Sequence, residues 1–160
     1  PVQPSQEQFE NLLAQSLFKL SNDRSSIWLE DESRRIGLVN IPAPLFDQIR
    51  KSKLFFLDIP FKQRLQFILK GYGKFEKDKL MSAILRIKKR LGGLETKTAI
   101  NFLIEDDVES SFTVLLNYYD KLYLKGAHNR DNPESVMQKI QVSTIDPAAN
   151  AVRLIAEASL

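Results

Sequence analysis

Cysteine is absent from this chain of 160 residues. Its absence excludes disulfides, thiolate metal sites and cysteine nucleophiles. Histidine occurs once, at His128, which is too few for a histidine-based metal centre or a Ser-His-Asp arrangement. No apolar run reaches the roughly 20 residues of a membrane span. The first residues do not resemble a signal peptide, so a cytoplasmic location without a membrane partner is expected. A G-x-x-x-x-G-K-[ST] loop, whose backbone N–H groups would cradle phosphates, is also missing. Gly71-Tyr72-Gly73-Lys74 and Thr96-Lys97-Thr98 share some of its letters without its spacing. This stretch is therefore not expected to hydrolyse or transfer a phosphate by itself.

What is present is ordinary for a globular protein. Apolar residues make up 43% and charged residues 27%, a balance that argues against disorder. A chain of this length buries roughly 70% of its unfolded surface, enough for a real core. The net charge of +3 permits an anionic partner such as RNA without demanding one. The chain begins with Pro1 rather than Met, and it is expected to be part of something longer.

The most informative stretch is Ile27-Trp28-Leu29-Glu30-Asp31-Glu32-Ser33-Arg34-Arg35-Ile36-Gly37. A short apolar run, read as a buried strand over 26–30, ends in three consecutive acids. Adjacent carboxylates repel one another, and a Mg²⁺ ion, a water network or neighbouring guanidinium groups would make them tolerable. In nucleotide-binding α/β folds, an acid at such a strand end holds the Mg²⁺ of a bound phosphate. The alternative is a solvated strand end whose acids pair with Arg34 and Arg35.

Helical spacing of Phe9, Leu12, Leu13, Leu17, Phe18 and Leu20 behind an N-cap Ser5 predicts a helix over 5–20, ended by Asn22-Asp23. Pro42 and Pro44 open a second helix through Ile49, with Arg50 and Lys51 near its C-terminus. KLFFLDI, residues 53–59, reads as a second buried strand, and Pro60 starts a helix carrying Phe61, Leu65, Ile68 and Leu69. The strand–helix–strand–helix order implies right-handed crossovers and a parallel sheet covered on both faces. Three helices follow, over 79–91 (closed by Gly92-Gly93), 95–104 and 108–124, and form a helical insertion over about 70–125. Residues 126–134 read as a loop, 139–144 as a strand, and Asp146-Pro147 as the start of a last helix. The fold class is thus α/β, with a partial parallel sheet and a helical insertion.

Arg86, Lys88, Lys89 and Arg90 lie on one expected helix, where Arg86, Lys89 and Arg90 share a face that suits RNA phosphates. Tyr118, Tyr119 and Tyr123 could stack on bases. A charge run also reads as a solvated face, and aromatics at helical spacing also read as packing.

Two families of resemblance then emerge. Asp58-Ile59-Pro60-Phe61 with Arg64 is similar to the strand, proline and arginine-bearing helix that precede the lid of P-loop small-molecule kinases. Ser143-Thr144-Ile145-Asp146-Pro147 resembles the loop bordering the adenine base in the same kinases. More specifically, Glu30-Asp31-Glu32-Ser33-Arg34-Arg35-Ile36-Gly37 resembles the E-D-E-S-R-x-I-G block of the bacterial tRNA 2-selenouridine synthases. Gln3-Pro4-Ser5-Gln6 with Phe9-Glu10-Asn11, Pro60-Phe61 with Arg64, Arg90-Leu91-Gly92, and Tyr118-Tyr119-Asp120 with Tyr123 resemble further motifs of that family in the same order. Lys121 stands where the family has proline, and Asp58 where it has Glu.

The resemblance implies that residues 1–160 are the C-terminal part of a P-loop-like α/β domain. It also implies a parent with a rhodanese-like domain, its essential cysteine and a P-loop, none of which this chain contains. Such a parent uses selenophosphate to convert 2-thiouridine at the tRNA wobble position to 2-selenouridine through a geranylated intermediate. The chain alone is then expected to be inactive. Asp31 and Glu32 would face a Mg²⁺–phosphate, nucleotide or selenophosphate pocket, with Arg34 and Arg64 binding anionic oxygen. Arg86, Lys89 and Arg90 would contact tRNA phosphates, and Tyr118 and Tyr119 would stack on bases. Two rivals are a fragment of a small-molecule or nucleotide kinase and a non-catalytic helical adaptor. An upstream rhodanese domain separates the first, and absence of RNA or nucleotide binding marks the second.

Overall fold

A computed structural model describes residues 2–21 and 26–158. The expected helix stop at Asn22-Asp23 lies outside the described residues. Two compact units divide the chain: residues 1–54 with 130–136, and residues 55–129 with 137–160. The fold is mixed α/β, mostly helical, with a small parallel sheet.

The first unit opens with helix α1 (Gln6–Ser21). Ser5 caps it as expected, its Oγ accepting from the Gln8 N–H at 3.2 Å. The strand expected over 26–30 is instead irregular, exposed chain. No described strand pairs with it, and an apolar run becomes a strand only where a neighbour takes its hydrogen bonds. A short antiparallel hairpin follows, β1 (Arg35–Ile36) and β2 (Val39–Asn40), with Arg35 opposite Asn40 and Ile36 opposite Val39. Gly37 makes its turn at φ 63°, a conformation that costs other residues about 1–2 kcal/mol.

Two glutamine side chains stitch the hairpin to the start of the chain. The Gln6 amide donates to the Asn40 carbonyl and accepts from the Asn40 N–H, both at 2.8 Å. Gln3 donates to the Ile36 carbonyl at 3.1 Å and accepts from the Leu38 N–H at 2.7 Å. Helix α2 (Ala43–Lys51) begins where Pro42 and Pro44 place it.

The second unit carries the parallel pair. Strand β3 (Leu54–Asp58) lies beside β4 (Met137–Gln141), and the Val142 N–H donates to the Asp58 carbonyl at 3.2 Å. Helix α3 (Phe61–Tyr72) starts after Pro60. The stretch expected as one helix over 79–91 is two, α4 (Lys77–Arg86) and α5 (Lys88–Leu91). Ile87 breaks it at φ −96°, ψ 3°, where an i→i+3 bond to Ile84 replaces the α-helical one. Ile84, Ile87 and Leu91 all reach the core, as their i, i+3, i+7 spacing allows on one helical face.

Helices α6 (Gly93–Ile104) and α7 (Val108–His128) pack on α3 and α4. Helix α7 runs four residues past the end expected for it, so His128 closes the helix. The core gathers Leu65, Leu80, Ile84, Leu91, Ala99, Leu103 and Phe112. A short helix α8 (Pro133–Val136) belongs to the first unit. Helix α9 (Pro147–Ala158) ends the second, capped by Asp146, whose carboxylate accepts from the Ala149 N–H at 2.9 Å.

Leu103 is completely buried. Leu103→Ala should cost about 2–5 kcal/mol, read as a lower urea midpoint at unchanged slope. A shift of the midpoint equivalent to less than about 1 kcal/mol would contradict the packing described here. Asp107 caps α7 by accepting from the Ser110 N–H at 2.9 Å, and this bond holds its carboxyl below the ordinary value. Its stabilisation is complete above the unfolded carboxyl's pKa and is lost as pH falls through the lowered value. Asp107→Asn keeps a capping oxygen, so it should flatten the acid limb of the stability–pH curve; an unchanged limb would count against the cap.

Candidate functional site

The acid block is built around one of its three acids. The Glu32 N–H donates to the Glu30 carbonyl at 2.9 Å, a tight turn that leaves Glu30 and Glu32 exposed and turns Asp31 inward. Asp31 Oδ1 lies 2.6 Å from Nη2 of Arg130 and 3.6 Å from Nη1 of Arg50. The Arg130 side chain is only 2% exposed. Its Nη1 donates to the carbonyls of Ile49 and Arg50 at 3.2 and 2.7 Å. A guanidinium thus caps the C-terminus of α2, where carbonyls and the helix dipole favour a cation, and neutralises Asp31. Among the described residues neither Arg130 Nε nor Asp31 Oδ1 has a hydrogen-bond partner, so the Asp31–Arg130 contact is an ion pair.

Arg34 and Arg35, the neighbours expected to neutralise the acids, look elsewhere. Arg34 Nε donates to the Ile41 carbonyl at 3.0 Å, and Arg35 Nε to the Gly37 carbonyl at 3.0 Å. The Ile41 N–H returns a bond to the Arg34 carbonyl at 2.8 Å, so both arginines brace the hairpin. Among the described residues neither has a carboxylate partner. No group of three acidic or histidine side chains among the described residues is gathered to hold a metal ion.

The second unit has its own charged centre, at the C-terminal end of β3, where open α/β sheets bind ligands. Arg64 makes a two-pronged pair with Asp120 of α7, Nη1 to Oδ1 at 2.5 Å and Nη2 to Oδ2 at 2.9 Å. Its Nε donates to the Ile59 carbonyl at 3.0 Å. The hydrogen bond to Asp120, reinforced by its charge and that of Asp58, pushes the Arg64 pKa above its ordinary value, against partial burial. Lys139 of β4 pairs with Asp58 at 2.9 Å. A cavity of about 160 Å³ opens among Asp58, Arg64, Asp120 and Lys139. Expected as an anion binder, Arg64 is instead engaged on three nitrogens; an incoming anion would have to displace Asp120.

The expected RNA-contacting residues divide. Arg86, Lys89 and Arg90 are exposed, as is Lys88, and among the described residues none has a carboxylate partner. The break at Ile87 puts Arg86 on α4 and the other three on α5, so they form a ridge across a kink rather than one helical stripe. Tyr118 packs on the core and stands edge-on to the part-exposed Tyr119 at 5.3 Å. Tyr118 is therefore a packing residue. His128 is exposed; its Nδ1–H donates to the Leu124 carbonyl at 2.7 Å, since a carbonyl can only accept.

Mixed α/β architecture with a small parallel strand pair fits a partial P-loop-like domain. The chain belongs to the family described as the tRNA 2-selenouridine synthase AAA domain, whose model matches residues 1–146. It is 28% identical to the tRNA 2-selenouridine synthase of Nitrosomonas eutropha, over 82% of this chain and 46% of that protein. It is 31% identical to the one from Marinobacter nauticus, over 76% of this chain and 41% of that protein. The Aeromonas salmonicida relative is 29% identical over 80% of this chain and 43% of its own length. The chain thus spans less than half the length of these curated relatives. No solved structure matches it.

Removing either partner of the Asp31–Arg130 pair strands a mostly buried charge. Arg130→Met should destabilise the chain by about 3 kcal/mol, and Asp31→Asn by a comparable amount. The double variant should lose less than the sum, a coupling read in a double-mutant cycle. Additive losses would mean that the two side chains do not interact.

Proposed function

We propose that this chain is the C-terminal part of an enzyme that replaces the sulfur of 2-thiouridine in tRNA by selenium from selenophosphate, through a geranylated intermediate. Its own contribution is to bind RNA and phosphate. One observation carries the reading beyond family membership. In the unit containing α4 and α5, Arg86, Lys88, Lys89 and Arg90 crowd four exposed cations into five residues, with no carboxylate partner among the described residues. A polyanion is the partner such a ridge favours, because neutralising its phosphates releases counterions.

Within the acid block, the carboxylate-free Arg34 supports a role near the selenophosphate oxygens, and the exposed Glu32 could reach them only through a bound Mg²⁺. Asp31 acts through Arg130 and positions the segment. A nucleotide or Mg²⁺ belongs to the proposal for the whole protein, where Mg²⁺ needs only one or two carboxylates beside phosphate oxygens.

The test is tRNA binding by the full chain over a range of KCl concentrations. Replacing Arg86, Lys89 and Arg90 together by Gln should weaken binding and lower the slope of log K against log salt by roughly 2–3. In the whole enzyme, the same variant should form 2-selenouridine more slowly at limiting tRNA. Binding that ignores both salt and these substitutions would sink the reading and favour a helical adaptor.

A further inference from the structure

A second feature lies beside the helix that carries Arg86. Tyr72 ends α3 and Phe75 follows it in the turn to α4; both rings are exposed, 58% and 48% respectively. Their centroids are 5.9 Å apart and their planes are inclined at 54°. Neither ring is part of the core. An open cleft of about 680 Å³ runs from these rings along α4 to Arg86. Glu76 and Asp78 stand at its border, with Lys79. Lys79 pairs with Glu76 at 3.0 Å, whereas Asp78 has no cation partner among the described residues.

We infer that this cleft seats an unpaired nucleobase of an RNA strand whose phosphates run over Arg86, Lys89 and Arg90. The inference rests on the tRNA-binding reading and adds to it a place and a state of the nucleotide. Charge sorts the two halves of the ligand. The unpaired Asp78 carboxylate at the cleft's border repels a phosphate but accepts hydrogen bonds from the amino or ring N–H groups of a base. The cations just beyond repel nothing in a phosphate and have no competing carboxylate. Two exposed rings supply the π-face, since every base stacks regardless of its identity. At 54° they form no parallel-walled slot, so the base lies on one ring with the other at its edge. A base locked in a duplex could not enter, which selects loops and single strands.

The experiment measures binding of the full chain to a labelled oligouridylate and to an unmodified tRNA transcript, at several KCl concentrations. Replacing Tyr72 and Phe75 together by Ala should weaken oligouridylate binding by about tenfold or more, with the salt slope unchanged. Tyr72→Phe with Phe75→Tyr keeps both rings and should restore the affinity. Because both rings are exposed, the thermal midpoint serves as the folding control and should hardly move. Suppose the unaltered chain binds RNA with a steep salt slope and the alanine variant binds equally well. The cleft inference is then wrong while the RNA reading stands. If the unaltered chain binds neither RNA, both fail. If the alanine variant instead abolishes self-association and leaves RNA binding intact, a second copy of the chain is the occupant and the inference is overturned.

Discussion

The buried guanidinium of Arg130 is the interaction on which the first unit depends. One planar group meets the last carbonyls of α2 and the carboxylate of Asp31. A helix end and an irregular segment are thereby tied through a single side chain. Lysine could not replace it, because an ammonium cannot reach two carbonyls and a carboxylate along fixed, coplanar directions. Since Asp31 answers this charge, the block of three acids needs no metal to be tolerated. Glu30 and Glu32 are left in water, where their mutual repulsion is screened.

Arg64 has the corresponding place in the second unit. It joins the loop that leaves β3 to α7 through the Ile59 carbonyl and Asp120. With Asp58 held by Lys139, the charges around the small cavity at the strand end are already balanced. That balance also separates the two roles that arginines have in this chain. Arg64 and Arg130 hold the fold, and the ridge across the α4–α5 kink faces solvent with its charge unspent.

How much of this was legible in the sequence follows from the range of the interactions. Helices α1, α2, α3, α6 and α9 lay close to where apolar spacing, Ser5 and the prolines put them, because those signals are local. Strand β3 was legible from its run of apolar residues. The strand expected over 26–30 failed because its apolar letters specify burial only if a neighbouring strand exists. Arg130 gave no local signal: it sits in a polar loop run, and its partners are Asp31 and the end of α2, both far away in sequence. The helix break at Ile87 was hidden by an unbroken run of helical apolar spacing, which Ile84, Ile87 and Leu91 satisfy with or without it.

The glutamine stitching of the hairpin has a consequence for how this protein behaves in a crowded solution. In the β1–β2 pair, the outward-facing N–H and C=O of Asn40 are the groups with which another extended chain would pair. Gln6 satisfies both with one amide, imitating the donor and acceptor of a neighbouring strand. Gln3 does the same beside the turn. The β2 edge of the hairpin is thus closed to edge-to-edge recruitment without a third strand. Two residues that look like unremarkable polar surface near the chain's start act as guards against strand-mediated aggregation.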